Sequence, residues 1–443
     1  MKSLTGLEEI ARWATRSIAL KLLVMGLLML VLLIPSVMIQ STINERQSRQ
    51  VGAVSEITSK WGGAQVLAGP VLTVPYLTHF KNDKGQPFTQ TAYAYFLPEE
   101  LHVHGDVGTQ IRYRGMYQAV LYQSTLAVNG KFSAPDFSVW HVAPEDILWK
   151  DAQLSFGIPD MRGIQNTLDV EWNGRPLTLN PGIALPGFLK SGVSAKAPWQ
   201  EKGGPFTFSM AVKLNGSDSL QIYPFGKKTT LELTSTWADP SFIGNFLPAE
   251  RHITSKGFSA SWTVLHLNRN YPQQWLSSET QDIEASGFGV QLLTPVDQYQ
   301  KTMRSTKYAV LFILLTFGTL FFIEILNKKA VHVFQYLLIG LALLLFYSVL
   351  LSLAEHIGFG WAYLLSSAVI VTMISLYAEG ILAARRLTWR VAAIMAGLYV
   401  YLYALLQLED YALLIGNVGL LAALGLAMYL SRRADWYIQY RGD

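Results

Sequence analysis

Residues 22–39 read LLVMGLLMLVLLIPSVMI, eighteen residues without a charge. As an α-helix rising 1.5 Å per residue, such a run covers about 27 Å, close to the roughly 30 Å hydrocarbon core of a bilayer. Arg12, Arg16 and Lys21 precede it, and Gln40-Ser41-Thr42 follow. A cleaved signal peptide has a shorter apolar core and a small-residue cleavage site, so the run reads as an uncleaved anchor, residues 18–40, entering from the cytoplasm. Ahead of it, Thr5-Gly6-Leu7-Glu8 has capping-box spacing, and Leu7, Ile10, Ala11 and Ala14 recur at helical intervals. Residues 1–17 therefore read as a cytoplasmic amphipathic segment on the lipid face, or as a helix continuous with the anchor.

Five further apolar runs follow at about 308–325, 333–353, 361–382, 391–406 and 411–430. The loops between them alternate in charge: Lys328-Lys329, then no Lys or Arg over 354–360, then Arg385, Arg386 and Arg390, then Glu409-Asp410, then Arg432-Arg433. Basic loops stay in the cytoplasm, so six spans satisfy the pattern with both termini on that side. The run 391–406 is the shortest and carries Tyr399, Tyr401 and Tyr403, but the alternation requires it. The expected organisation is a membrane anchor, a periplasmic domain over 41–306, a five-helix membrane block over 307–431 and a cytoplasmic tail over 432–443. That is a multi-pass protein of the bacterial inner membrane.

The composition agrees with two solvents for one chain. Only 15% of the 443 residues are charged, against about 25% in soluble proteins. A net charge of +4, much of it beside apolar segments, gives no nucleic-acid surface. The absence of cysteine excludes disulfides and thiolate metal sites.

Between the anchor and the block the period changes. Val51, Val54, Ile57 and Trp61 recur at near-helical spacing up to Gly62-Gly63 and predict a helical stalk. Strand patterns follow at 66–76 and 92–97, joined by Asn82-Asp83-Lys84-Gly85. Asn173-Gly174 and Asn215-Gly216 both lie between strand-like runs and predict two tight hairpin tips. Phe206, Phe208, Met210, Val212 and Leu214 alternate, as do Phe258, Ala260, Trp262 and Val264, so each strand turns one face to a core. The fold class expected is a membrane α-helical bundle plus a large all-β or mainly β extracytoplasmic domain, built as two packed β layers or lobes. The Gly- and Pro-bearing stretch 187–205 reads as its internal loop or boundary.

Chemistry is harder to find. No nucleophile-elbow, zincin or phosphate-loop signature occurs. His102 and His104 sit two apart on a strand that reads as an edge, and without a third ligand they are ordinary surface. Asp136, His141, Glu145 and Asp146 form a polar turn between Pro135 and Pro144, and Asp160, Arg162 and Asp169 read the same way. In the membrane block, Glu324, Glu355, His356 and Glu379 are the candidate functional groups, because ionisable side chains in lipid are costly. All four lie near span ends, so they read as interfacial or paired groups that fix helix depth, not as a proton relay. The sequence assigns no catalytic, metal or cofactor-binding residue.

The run Thr294-Pro-Val-Asp-Gln-Tyr-Gln, with Arg304, Thr306-Lys307-Tyr308-Ala309 and a span ending Phe322-Ile-Glu324, resembles the CreD family of bacterial inner-membrane proteins. Also similar are Gly69-Pro70 with Pro75, Phe96-Leu97-Pro98-Glu99, Arg162-Gly163-Ile164, Trp237 with Pro240-Ser-Phe242, Phe246-Leu247-Pro248 and Gln335-Tyr-Leu-Leu338-Gly340. The likeness covers most of the chain from Gly69 to about Phe359. It implies a protein of cell-envelope integrity, tied to the Cre two-component regulon and to tolerance of envelope-directed toxins and β-lactams. It brings no catalytic residues.

Three functions compete at this point. The favoured one is a non-enzymatic envelope protein whose β-domain binds partner proteins, lipid or cell-wall material. The others are a lipid or solute transporter using the membrane block, and a periplasmic hydrolase of unfamiliar type. The partners expected are membrane lipid and envelope proteins or cell-wall components, with no nucleic acid and no cofactor. A homo-oligomer is allowed, with nothing in the sequence to support it.

Overall fold

A computed structural model describes residues 18–82, 84–183, 191–197, 199, 205–292, 298–327, 331–408 and 411–432. The segment 1–17 and the tail beyond Arg432 lie outside the described residues. The chain divides into two compact units, one of Met1–Val51 with Val296–Asp443 and one of Gly52–Pro295.

The first unit is helical. Helix α1 (Ile18–Trp61) carries both the anchor run and the expected stalk as one element of 44 residues, with Pro35 inside it. It is followed, across the second unit, by α2 (Gln298–Lys307), α3 (Ala309–Leu326), α4 (Val333–Ile357), α5 (Phe359–Leu382), α6 (Arg385–Gln407) and α7 (Ala412–Ser431). Among the described residues, α1 and α3 to α7 are six helices long and apolar enough to cross a membrane. Helix α6 starts six residues before the apolar run at 391, because Arg385, Arg386 and Arg390 continue the helix where long cations can reach headgroups. Helix α2 is short and polar; it turns Tyr299, Thr302, Ser305 and Thr306 inward and packs on α4 and α6. Rings fill the bundle: Phe346 stands 4.7 Å from Tyr399 and 5.4 Å from Tyr363 between centroids.

The second unit is β-rich. Its strands are β1 (Gln65–Lys81), β2 (Pro87–Phe96), β3 (Glu100–Arg114), β4 (Tyr117–Phe132), β5 (Gln153–Gly157), β6 (Asp169–Trp172), β7 (Arg175–Thr178), β8 (Asn180–Pro181) and β9 (Gly192–Lys196). They continue with β10 (Phe206–Ser217), β11 (Ser219–Ile222), β12 (Lys228–Ser235), β13 (Pro240–Gly244), β14 (Glu250–Thr254), β15 (Gly257–Leu265), β16 (Gln274–Leu276) and β17 (Phe288–Leu292). One sheet runs β14-β15-β12-β3-β4-β10-β6-β7; the other runs β13-β17-β11-β1-β5-β9-β8, with β2 branching from β1 and β16 pairing on β2. Pairing is antiparallel except for β1 with β11 and β12 with β3. The two sheets share one hydrophobic core: Trp262 of β15 meets Phe288 of β17 at 6.0 Å, and the Tyr122 hydroxyl of β4 donates to the Ser219 carbonyl of β11 at 2.7 Å. Two packed β layers are thus present.

Alternation explains one sheet and its failure explains part of the other. Along β10 the alternating residues Phe206 to Leu214 are buried, as a half-covered strand requires. In β1, Val71, Leu72, Thr73 and Val74 are all buried in succession, so both faces are covered. Phe137 of the loop 133–150 packs its ring against Tyr76 of β1 and Phe96 of β2.

Three expectations change. Asn173-Gly174 does form a two-residue tip between β6 and β7, with φ of 52° and 75°, but Asn215-Gly216 lies inside β10, paired with Gln123 and Tyr122. Gly216 is needed there because a side chain would strike the Tyr122 ring. His102 and His104 are on β3, an interior strand between β12 and β4 rather than an edge. The stretch 187–205 contains β9, which pairs along its length with β5; its Gly and Pro residues hid a short strand.

Candidate functional site

In the helical unit, two clusters of charge bind α1 to its neighbours. The Lys21 ammonium meets the Glu324 carboxylate at the end of α3 and donates to the Val331 carbonyl at 2.8 Å. Glu324 also accepts from the Val331 amide at 3.2 Å and from the Tyr336 hydroxyl at 3.0 Å. Its lone pairs are well used, as a nearly buried carboxylate requires. At the far end of the apolar run, Arg46 lies 3.8 Å from Glu355, which accepts from the Tyr299 hydroxyl of α2 at 2.8 Å. Lys21 and Arg46 are twenty-five residues apart on one helix, about 37 Å of rise, so the clusters bracket the thickness of a bilayer core. Glu379 and His356 are exposed, and no side-chain hydrogen bond or ion pair joins either to another residue among the described ones. Sequence reasoning named both glutamates; it missed Lys21, Arg46, Tyr299 and Tyr336, because their partners are from twelve to about three hundred residues away.

In the β unit, the end of α1 is held in a polar socket. Gly62 and Gly63 place bare backbone where a side chain would strike Asn215, in the case of Gly62. The Gly63 amide donates to Asp160 at 2.9 Å, the Ser217 amide and hydroxyl donate to the Gly63 and Gly62 carbonyls, and the Trp61 indole donates to the Tyr122 carbonyl at 3.2 Å. The Gln65 amide bridges the carbonyls of Asp160 and Asn215 at 3.0 Å each. Arg162 forks onto Asp160 at 2.8 and 2.9 Å, and together with the Gly63 amide this holds the carboxyl below its ordinary range. The tyrosine beneath, Tyr122, is pushed up by burial and stays a neutral phenol.

The outward side of the eight-stranded sheet is polar and open. His104, Asp106 and Glu232 are exposed there while Leu101, Val103 and Val107, alternating with them, are buried. His102 shares a hydrogen with the Thr230 hydroxyl at 2.7 Å and stands 3.6 Å from Glu100, and His104 lies 3.3 Å from Glu232. Among the described residues no three His, Asp or Glu side chains come together in a way that could hold a metal ion.

Of the polar turn, Asp136 accepts from the Ser138 amide and hydroxyl, which lowers its carboxyl. Asp146 pairs instead with His79 at 2.8 Å, and the other nitrogen of that imidazole is 3.5 Å from the Thr89 hydroxyl across the β1–β2 ladder. The line hydroxyl, imidazole, carboxylate was invisible in sequence, since it joins two strands to a distant loop. Arg269 is a buried cation: its guanidinium donates to the carbonyls of Tyr271 and Phe225 and to Gln273, and burial lowers its pKa.

Comparison with known proteins agrees with the membrane reading. A crystal structure of an M1 zinc metallopeptidase from Deinococcus radiodurans is 10% identical over 38% of each chain with a TM-score of 0.20, too slight a likeness to bear on fold or function. The Inner membrane protein CreD of Escherichia coli (strain K12) is 33% identical over 417 residues, 92% of this chain and 91% of that one. The family model described as Inner membrane protein CreD matches residues 17–437. This chain belongs to the CreD family of inner membrane proteins.

Proposed function

We propose that the protein supports cell-envelope integrity from the inner membrane, with its β unit in the periplasm binding envelope proteins, lipid or cell-wall material and performing no catalysis. The observation behind this is the open face of the eight-stranded sheet, where six strands from β15 to β6 present short polar and charged side chains over a fully packed core. A broad polar surface of that extent suits recognition of a large partner better than enclosure of a small substrate. The test uses the full chain in living cells with a photo-crosslinker at Thr125 or His104. Expected is capture of one defined envelope component, lost together with detergent resistance in a His104→Glu, Asp106→Lys variant that still folds. Detergent resistance unchanged in that variant would sink the reading.

A second reading, hydrolysis in the β unit, has the Thr89–His79–Asp146 line in its favour, since an imidazole between a carboxylate and a hydroxyl is the arrangement that activates a nucleophile. A hydroxyl-reactive phosphonate that labels the chain at Thr89, and fails to label His79→Ala, would establish it. Absence of labelling would remove it.

A further inference from the structure

We infer that α7 is a self-association surface, and that two copies of this chain pair through a seam whose polar centre is Asn417. Helix α7 presents one side to α6, where the Tyr401 hydroxyl donates to the Ile415 carbonyl at 2.6 Å and its ring lies against Gly419. On the opposite side stand Leu414, Asn417, Leu421, Leu424 and Met428, all exposed. Their intervals are 3, 4, 3 and 4, the a/d repeat of a left-handed helix pair. No described residue of α7 is buried.

Lipid covers leucine and methionine well. It does not cover Asn417, about 8 Å inside the start of the helix, whose carboxamide has no hydrogen-bond partner among the described residues and whose stem is too short to reach the interface. Polar side chains in spans almost always face protein, because hydrocarbon offers neither donor nor acceptor. A carboxamide is its own complement, one donor group and one acceptor. Two copies inserted in one membrane with the same topology bring identical helices together in parallel, so a two-fold axis along the seam sets Asn417 against Asn417 of the second copy. Gly425, with open space where its side chain would be, flanks the seam and lets the helices approach closely. The occupant argued for is therefore a second copy of the chain.

The absence of native cysteine makes the test direct. The full chain, with a single cysteine at Leu421 or Leu424, is oxidised in native membranes. Expected is a disulfide-linked dimer from both, and none from Leu426→Cys, which is exposed but turned away from the seam. In nanodiscs, Asn417→Leu should weaken dimerisation by roughly 3- to 20-fold, as loss of interhelical hydrogen bonds does in other spans, while Asn417→Gln retains most of it. A chain that stays monomeric in nanodiscs, equal crosslinking at 421, 424 and 426, or an Asn417→Leu dimer as tight as the parent would each overturn the proposal. So would a Leu421 crosslink to a different protein.

Discussion

Asp160 keeps its charge because Gly63 and Arg162 donate to it, and the backbone beside it leaves no room for error. A side chain at Gly163 would strike the Asn215 carbonyl and the Gln65 amide. Gly163→Ala should therefore cost about 1–3 kcal/mol, the usual range for overpacking, measured by thermal or denaturant unfolding of the β unit signal in the intact protein. Asp160→Asn should behave differently with pH. A carboxyl held below its ordinary value of 3.8 adds stability that is complete above that value and lost as pH falls through the lower folded-state value. The parent should lose stability below about pH 4 and the Asn variant should start lower and lose less; parallel curves would contradict the account. This socket also explains a misreading. Asn173-Gly174 and Asn215-Gly216 are the same dipeptide between the same kinds of strand, and only the first is a turn. The second needs glycine because of Tyr122, some ninety residues earlier, and no local pattern carries that information.

At the scale of elements, the spans were legible because hydropathy and charge act over whole helices, whereas what joins one helix to another was not. Lys21 and Glu324 read in sequence as two unrelated interfacial charges; the structure makes them one pair with Tyr336 and Val331. Removing one partner strands the other, so Lys21→Met or Glu324→Leu alone should lower the yield of folded protein in membranes, on the order of 3 kcal/mol for a broken buried pair. The double exchange Lys21→Glu with Glu324→Lys should recover a good part of it, while pairing Lys21→Glu with Glu379→Lys should not. Equal behaviour of the two doubles would show that depth at the interface, and not the pair, is what matters. In the β unit the strands with clean alternation, β10 and β15, were readable for the same reason as the spans. Strand β9 was not, because five residues among Gly and Pro carry too little pattern.

For the molecule as a whole, sidedness is a separate question from fold, and the charge pattern answers it with a definite expectation. Basic residues gather before α1, at Lys328-Lys329, at Arg385, Arg386 and Arg390, and at Arg432, while 354–360 holds no Lys or Arg and Glu409-Asp410 is acidic. The pairs found in the helical unit are consistent with that alternation: Lys21 shares one end with Glu324 of α3 and Val331, and Arg46 shares the other with Glu355 of α4. With basic loops held in the cytoplasm, the β1–β2 turn is expected to face the periplasm and the start of α6 the cytoplasm. The chain has no cysteine to interfere, so Asn82→Cys and Arg386→Cys, both exposed positions, can be labelled in turn with a membrane-impermeant maleimide. In spheroplasts Asn82→Cys should react and Arg386→Cys should not; in inside-out vesicles the reactivities should exchange. The reverse result would place the β unit in the cytoplasm and remove cell-wall material from its partners. Reaction of both in spheroplasts would mean an even number of crossings between them and would show that one of α3 to α5 does not span.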